Sequence, residues 1–467
     1  MSHCTEQTVT VSRPVSNKAV KGVSKRGLRQ IHRNAAGIDV GSTEHYVAVP
    51  EDRSDTPVRV FGCTTPDLHA MARWLAECSI DKIAMESTGV YWIPVVQVLE
   101  QYGLKVIVVD AHYIKNVPGR KSDVVDCQWI QELHTFGLLR GAFRPDRNIR
   151  TLRSYWRHRE GLVQSCAQQI HLMHKALEQM NLQLHKVLSD VTGLTGMKII
   201  RAIVDGERNA VELARMKHPL VKSSEEDLVK ALTGEYCPEH LFALRHAVEL
   251  YDVFQTKLGE CDREMEKYMA TLESKANPKD LGGKRTQKRR KNQAHFDLRK
   301  ELFRLSGVDL TRIDGIDALT AQTIICECGF DLSAFPTEKH FASWLGLCPN
   351  NRITGGRVRN TRTRKVQNRA ATALRIAAQS LHRSHSALGA FLRRLKARLG
   401  APKAITAAAH KLARLVYRML KYGMVYVDKG QDYYEQQHQQ RVLKNLAKRA
   451  KQMGYQLIRP QTAELVS

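Results

Sequence analysis

Short apolar runs typical of β-strands recur early in the chain, at 34–50, 58–65, 82–88 and 104–113. They are rich in Val, Ile and aromatic residues, which favour a pleated and half-buried backbone. Apolar residues at helical spacing separate the later runs, at 67–78 and 90–103. This alternation predicts a mixed α/β sheet domain over residues 34–145.

Two long apolar series at steps of three and four residues follow the sheet pattern. The first comprises Val163, Cys166, Ile170, Met173, Leu177, Met180, Leu184 and Val187. The second comprises Ala247, Tyr251, Phe254, Leu258, Cys261, Met265, Tyr268 and Leu272. Each series is the seam of a heptad pattern on one long helix. The pair predicts an antiparallel coiled-coil arm over 146–276, or an arm that pairs with another subunit. Helices packed on a globular core are the alternative.

The remainder of the chain is predicted to be mainly helical. A basic linker over 277–297 precedes a C-terminal domain over 298–430 and a helical tail over 431–467. Residues 310–329 place a glycine-centred turn between two helical patterns, which resembles a helix-hairpin-helix. Such a turn offers backbone N–H groups to a phosphate.

Charge indicates the class of partner. The 467 residues include 73 Lys and Arg against 47 Asp and Glu, a formal net charge of +26. Such an excess implies a polyanionic partner, and nucleic acid is favoured because no apolar run approaches the length of a membrane span. The first 33 residues carry seven basic residues and one acid, and they are predicted to be a flexible basic arm.

The ten cysteines do not form a zinc framework, because the closest pair, Cys326 and Cys328, has no second pair nearby. Reduced and mostly buried thiols in a cytosolic protein are the expectation.

A strongly basic segment lies in the C-terminal domain. No acidic residue occurs between Glu338 and Asp428, whereas Lys and Arg recur throughout. A solvated face normally mixes charges of both signs, so contact with a phosphate backbone is predicted here, especially over 355–369. The candidate nucleic-acid-binding residues are Arg352, Arg357, Arg359, Arg362, Arg364, Lys365 and Arg369.

Four acids form a candidate metal site. Asp39 lies in the first predicted strand and Glu86 at the end of a later one, while Asp123 and Asp126 share one face of a predicted helix. An acidic pair at this spacing is usually a solvated helix face. Mg²⁺, however, takes oxygen ligands and is commonly held by one or two carboxylates plus phosphate. Two such ions about 4 Å apart activate the attacking oxygen and stabilise the leaving oxygen of a phosphodiester.

The order of these motifs resembles a known family. "GIDVGS", "AMESTGVYW" and "GRKSDVVDCQWI", followed by "FASWLGLCPNNRITGGRVRN" and "NRAATALRIAAQSL", are similar to the DEDD transposases of the IS110 family, nearest its IS1111 group. The resemblance covers residues 34–430. It implies a RuvC-like (ribonuclease H-like) N-terminal domain, a coiled-coil connection and a C-terminal transposase domain. It also implies a structured non-coding bridge RNA that guides recombination of donor and target DNA.

The resemblance further assigns roles to residues. Asp39, Glu86, Asp123 and Asp126 would hold Mg²⁺, as two ions, and a serine of the C-terminal domain would attack the DNA. Thr354 stands where the family has that serine. Threonine carries the same hydroxyl, but its methyl group crowds an in-line attack and restricts χ1. A structural bend at Thr354 is the alternative.

The expected protein is therefore a strand-exchanging transposase that assembles as a dimer or tetramer in the bacterial cytoplasm, associated with the nucleoid. Two rivals stay open. A RuvC-like junction nuclease would use the same acids with water as nucleophile. A non-catalytic nucleic-acid-binding protein would account for the charge but not for the ordered acids.

Overall fold

The computed structural model describes residues 13–14, 29–87, 89–109, 123–282, 292–364 and 366–458. The chain divides into two compact units, residues 1–144 and 145–467. Within the described ranges, no helix combines the length and the apolar character needed to span a bilayer.

A mixed β-sheet forms the first unit. Its described strands are β1 (Arg13–Pro14), β2 (Ala35–Val40), β3 (Glu44–Ala48), β4 (Val58–Gly62), β5 (Lys82–Glu86) and β6 (Lys105–Val109), in the order β1-β4-β3-β2-β5-β6. The pairs from β1 to β2 are antiparallel, whereas β2–β5 and β5–β6 are parallel. The predicted α/β sheet is confirmed, and the run at 34–50 forms a hairpin of two strands. Most of the predicted basic arm lies outside the described residues.

Helices cover both faces of this sheet. They are α1 (Thr65–Glu77), α2 (Trp92–Gln101) and α3 (Asp123–Thr135). The Asp67 carboxylate accepts hydrogen bonds from the Thr64 N–H and hydroxyl, which fixes the start of α1. The residues of β2 and β5 that face α1 and α2 are fully buried, and they include Ile38 and Met85. Ala84 packs with Ile130 of α3, on the opposite face.

Two long helices begin the second unit, α4 (Arg147–Gln179) and α9 (Pro238–Ala270). Contacts between Asn148 and Tyr268, and between Cys166 and Gln255, show that they pack antiparallel. Four shorter helices connect them: α5 (Leu184–Val187), α6 (Leu194–Val204), α7 (Ala210–Arg215) and α8 (Glu225–Leu232). Whether the pair is a coiled coil stays a prediction.

The first heptad series does not occupy one helix. Leu184 and Val187 lie on α5, because α4 ends at Gln179 and Asn181 adopts a φ of +56°. Both residues still contact the apolar cluster between α4, α9 and the connecting helices. The prediction of a single helix over the whole series was therefore wrong for these two positions, and Met180 and, in the second series, Leu272 lie just beyond the ends of α4 and α9.

A buried charge network joins the long helices to the segment that follows them. Arg159 on α4 and Asp262 on α9 are buried, with Nε and Oδ1 2.5 Å apart. Asp262 also accepts from the His295 backbone N–H at 3.1 Å, and Arg159 donates to the Asn292 carbonyl at 3.0 Å. Breaking one partner would leave an uncompensated buried charge, so the network fixes the geometry of this junction.

The rest of the unit is mainly helical, as predicted. Its elements are α10 (Leu298–Ser306), α11 (Ala318–Cys328), α12 (Glu338–Trp344), β7 (Arg352–Thr354), β8 (Arg357–Asn360), α13 (Arg369–Ser380), α14 (Ala387–Leu399), α15 (Ala401–Tyr422) and α16 (Gly430–Gln452). Arg157 on α4 donates to both carboxylate oxygens of Glu327 on α11, each at 2.9 Å. The long helices therefore pack against the C-terminal helices as well as against each other.

The glycine-centred turn at 310–329 has a packing explanation. Gly315 has a φ of +88°, and a Cβ there would lie 2.6 Å from the Ala377 carbonyl of α13. The turn is thus held against a neighbouring helix, and phosphate binding by it stays a prediction. The described cysteines are all free and mostly buried. The predicted domain boundaries stay predictions, and the linker lies partly outside the described residues.

Candidate functional site

Asp39 and Glu86 occupy matching positions at the ends of adjacent parallel strands. Ile38 of β2 pairs with Met85 of β5, so each acid follows a paired residue by one position. Neighbouring strands lie about 4.8 Å apart, and matching residues on parallel strands face the same side. Ile38 and Met85 face α1 and α2, so both acids face α3. Both acidic residues are half-buried.

Gly37 lets α3 approach this face of the sheet. A Cβ at Gly37 would lie 2.3 Å from both the Cys127 carbonyl oxygen and the Gln131 backbone nitrogen. No side chain fits in that space, so only glycine allows the helix to pack there. Gly37 and Asp39 share a face of β2, which places Asp39 beside the first half of α3.

The electrostatics of Cys127 report the closeness of two of the acids. The thiol is fully buried, and burial is the largest cause that raises its pKa. The negative charge of Asp39, and more weakly that of Asp126, raises the pKa further. Asp39 on the sheet and Asp126 on α3 therefore both lie within electrostatic range of the same thiol.

The structure describes the side chains of three of the four predicted acids. Asp123 is the first residue of α3, one turn before Asp126, and its side chain lies outside the described residues. Among the described residues, one set of three His, Cys, Asp or Glu side chains has all its ligand atoms within 4.8 Å, and it comprises Cys237, Glu239 and His240 at the start of α9. Asp39, Glu86 and Asp126 are thus more widely spaced.

The chemistry of these donors nevertheless fits a hard divalent cation. Carboxylates from two adjacent strands and one helix lie on the same face of the sheet. Mg²⁺ takes oxygen ligands and is commonly held by one or two carboxylates, with water or phosphate completing the shell.

Thr354 lies in a small β-hairpin of the second unit. It ends β7 and pairs with Arg357, the first residue of β8. Gly355 and Gly356 form the turn with φ values of +55° and +74°. A two-residue hairpin turn of this type requires positive φ at both central positions, and glycine adopts it without strain. Thr354 therefore lies directly before a tight turn, and its role as a nucleophile stays a prediction.

The two faces of this hairpin differ in chemistry. Directly paired residues of antiparallel strands share a face, so Thr354 and Arg357 project together. Ile353 pairs with Val358 on the other face, where they are 61% and 57% exposed. The register shifts by one residue after this pair, which leaves Arg359 unpaired in a β-bulge. One face thus carries a hydroxyl and the Arg357 cation, and the other is apolar.

The other predicted cations have different surroundings. Arg362 is exposed, and Arg364 donates to the Ser343 carbonyl. Arg369 begins α13 and forms an ion pair with Glu160 of α4, so its charge is partly neutralised within the protein. Lys365 and the side chain of Arg352 lie outside the described residues. The strongest cationic candidates are therefore those nearest Thr354.

Sequence reasoning missed two residues of the sheet edge. Gly37 supports the position of α3, and Tyr46 of β3 pairs with Asp39 across the hairpin. A glycine inside an otherwise apolar strand was the available signal for the first, because it marks close backbone approach. No local signal identified the second.

Two family models match the chain. Residues 36–182 match a model described as a transposase, the DEDD type of IS110, and this range contains all four acids. Residues 309–393 match a model described as the transposase IS116/IS110/IS902 family, and this range contains Thr354 and the surrounding arginines. None of the curated proteins compared with the chain matches it.

Proposed function

The chain belongs to the IS110 family of transposases, and from this premise we propose that it cleaves and exchanges DNA strands through a covalent intermediate on Thr354. The observation that carries the proposal is the matched placement of Asp39 and Glu86 at adjacent strand ends, facing the helix that bears Asp126. This is the edge of a sheet where parallel strands end, a common location for catalytic groups.

We assign the first unit to the RuvC-like type that the sequence resemblance implies. The mixed sheet, with three antiparallel strand pairs on one side and two parallel pairs on the other, supports the assignment. The acids at its strand ends support it further.

Family membership implies dependence on a divalent metal, and we propose that the metal is Mg²⁺, as two ions. Asp39, Glu86, Asp123 and Asp126 would hold it. When bound, the metal neutralises charge on the phosphate and lowers the pKa of a coordinated oxygen. The carboxylate oxygens are the hard donors, and the packing of α3 on Gly37 sets where they lie.

In the proposed cleavage step, the Thr354 hydroxyl loses its proton and Oγ1 forms a bond to the phosphorus of the scissile phosphodiester. The bond from phosphorus to the 3′ oxygen breaks, and that oxygen takes up a proton to leave a 3′-hydroxyl. The product is a 5′-phosphate joined to Thr354. Attack on this linkage by a 3′-hydroxyl of a different strand restores the threonine and joins the new partners.

Arg357 and Arg359 are proposed to hold the phosphate during this step. Arg357 projects from the same hairpin face as the hydroxyl, and Arg359 follows two residues on, at the β-bulge. A guanidinium group can donate two parallel hydrogen bonds to phosphate oxygens and stabilise the charge that develops there. Arg352, Arg362, Arg364, Lys365 and Arg369 are proposed to contact the backbone farther along the nucleic acid.

The partners follow from the same assignment. DNA is the substrate of a transposase, and we propose that donor ends and target are brought together by a structured non-coding bridge RNA. Because the acids and Thr354 lie in different units of the chain, we further propose a dimer or tetramer in which subunits complete each other's sites. We place the protein in the bacterial cytoplasm, at the nucleoid.

A RuvC-like junction nuclease is the second candidate. The threonine at the serine position favours it, because the extra methyl group crowds an in-line attack. In that case the same acids would activate water, and no bond between protein and DNA would form.

The proposal is tested by recombination between a plasmid that carries the element's ends and a target plasmid, with and without the flanking non-coding RNA. We expect joined products only with the RNA present and Mg²⁺ supplied. Joined products without RNA would remove the guide from the proposal, and nicked products alone would support the nuclease.

A further inference from the structure

A basic cleft lies at the opposite end of the sheet from the acids. It is lined by residues 29–34 and 81–82 and has a volume of about 550 Å³. Lys82 is the first residue of β5 and Glu86 is the last. With a rise of about 3.3 Å per residue, the two ends of this strand are roughly 13 Å apart. A ligand in the cleft therefore occupies a different place from one bound at the acids.

The charges in the basic cleft favour an anion. The lining includes three cationic side chains, Arg29, Arg33 and Lys82, and one carboxylate, that of Asp81. Within the described part of the chain, neither arginine forms an ion pair. Their guanidinium groups are therefore available to bind an oxyanion in a forked geometry.

Lys82 also determines which nitrogen of His32 donates a hydrogen bond. The Lys82 ammonium lies 3.0 Å from Nδ1 of His32. An ammonium group can only donate, so Nδ1 accepts and Nε2 of the neutral ring carries the hydrogen. The cleft therefore presents a neutral N–H donor beside its cations.

A buried histidine lies next to the cleft. His134 of α3 is 4% exposed, and neither of its ring nitrogens has a hydrogen-bond partner among the described residues. Its ring centroid lies 5.1 Å from that of His32. The pKa of His134 is lowered to about 4, chiefly by burial and further by the nearby positive charge of Lys82. Buried polar groups are usually hydrogen-bonded, so an imidazole in this setting beside the cleft points to a polar ligand there.

We propose that the basic cleft binds a backbone phosphate of nucleic acid and so gives the first unit a second nucleic-acid contact, remote from its acids. The proposal rests on the proposed function only in taking nucleic acid as the partner. The volume admits a phosphodiester with its adjoining sugars, and the donors in the cleft match phosphate oxygens. Nucleic acid at both ends of the sheet fits an enzyme that handles two polynucleotides together.

The test measures binding without catalysis. Full-length protein that carries Asp39→Asn is titrated in EDTA against labelled duplex DNA and, separately, a labelled RNA hairpin, with fluorescence anisotropy at several salt concentrations. Adding Arg33→Gln and Lys82→Gln should weaken binding about tenfold and reduce the salt slope by about one for each lost phosphate contact. The matched control is Arg73→Gln, an exposed arginine on α1 outside the cleft.

The pattern of lost affinity identifies the ligand of the basic cleft. A loss on RNA alone identifies RNA as the ligand, a loss on DNA alone identifies DNA, and a loss on both identifies a contact with the shared backbone. Retained affinity in Lys82→Arg separates charge from folding defects. If the double variant binds both probes like Arg73→Gln, the basic cleft is not a phosphate site. Because no cleavage is measured, failure of the proposed strand exchange leaves these readouts unchanged.

Discussion

The acidic sheet edge and the Thr354 hairpin are built in opposite ways. Asp39 lies one residue before the end of β2 and Glu86 ends β5, each after a fully buried residue, and α3 is packed against Gly37 without space for a methyl group. The hairpin, in contrast, has exposed strands that pair only with each other among the described residues. The core thus sets the positions of the carboxylates, while the turn alone sets the position of the hydroxyl.

This difference has a chemical consequence. Carboxylates that hold a cation bind it more tightly when they are rigid, because their conformational entropy has already been lost on folding. A hydroxyl that must reach a phosphate on a large polyanion gains from exposure. Its face of the hairpin also carries Arg357, which we propose attracts the substrate. We infer that bound nucleic acid completes the geometry of the hairpin, whereas the acidic edge is organised beforehand.

The largest effect is expected from Asp39→Asn, which removes the charge of a proposed metal ligand while keeping the size of the side chain. Strand cleavage should fall about a thousandfold, equivalent to about 4 kcal/mol of transition-state stabilisation. Cleavage of a labelled donor end is the measurement. Asp55→Asn, in an exposed loop of the same unit, is the control. Equal activity in the two variants would remove Asp39 from the site.

Thr354→Ala should abolish strand joining while leaving DNA affinity and metal binding unchanged, because only the attacking oxygen is lost. Thr354→Ser keeps the hydroxyl, removes the crowding methyl group and should be at least as active as the parent. The control is Thr361→Ala, an exposed threonine just beyond β8. Joined product from Thr354→Ala would show that another nucleophile acts.

Gly37→Ala tests how strongly the core sets the acidic edge. The added methyl group would lie 2.3 Å from backbone atoms of α3, so the helix must shift. We expect a loss of about 1–3 kcal/mol in the free energy of unfolding, with weaker metal binding. Gly161→Ala on α4 is the control, because a Cβ there has no atom within 4 Å. That change should be neutral or stabilising by up to about 1 kcal/mol. Equal stability of the two variants would contradict the close packing.

Arg357→Gln tests the cationic face of the hairpin. Affinity for DNA should fall a few fold and uniformly across sequences, and the salt slope should decrease by about one. The stability of the unit should not change, because the residue is exposed. Lys198→Gln, exposed on α6, provides the comparison. An unchanged salt slope would place Arg357 away from the phosphate backbone.

The smallest effect concerns pH and the cations that are already paired. Arg418, with Arg414, binds Glu338 and lowers its pKa below the usual 4.5. Because the folded pKa is lower, this stabilisation is present above pH 4.5 and is lost as the pH falls through the folded value. Glu338→Gln should therefore lack this part of the acid sensitivity in denaturation curves. Glu264→Gln, an exposed acid on α9, should retain it.

The acidic sheet edge could largely be predicted from the sequence, because the patterns that indicate its strands and helix are local. The strands and the placement of Asp39 and Glu86 at their ends followed from apolar runs and their boundaries. The α3 helix was predicted from the helical pattern of its residues. These patterns involve residues close together along the chain, so they can be recognised without knowing the tertiary contacts.

The features that escaped prediction depend on distant contacts. The approach of α3 to Gly37 joins residues far apart in sequence, and so does the pairing of Arg369 with Glu160. The heptad series continued past Gln179 because Leu184 and Val187 pack into the same cluster from a separate helix. Periodicity reports which residues are buried, but it does not show where a chain turns.

The central claim is that the carboxylates and Thr354 serve one reaction, and a covalent adduct tests it most directly. Protein, labelled donor DNA, RNA and Mg²⁺ are mixed, quenched in denaturant and analysed by peptide mass mapping. The account predicts a 5′-phosphate linked to Thr354 that is absent in Asp39→Asn, in Thr354→Ala and in EDTA. Cleaved DNA that carries no protein, or an adduct that persists in Asp39→Asn, would contradict it.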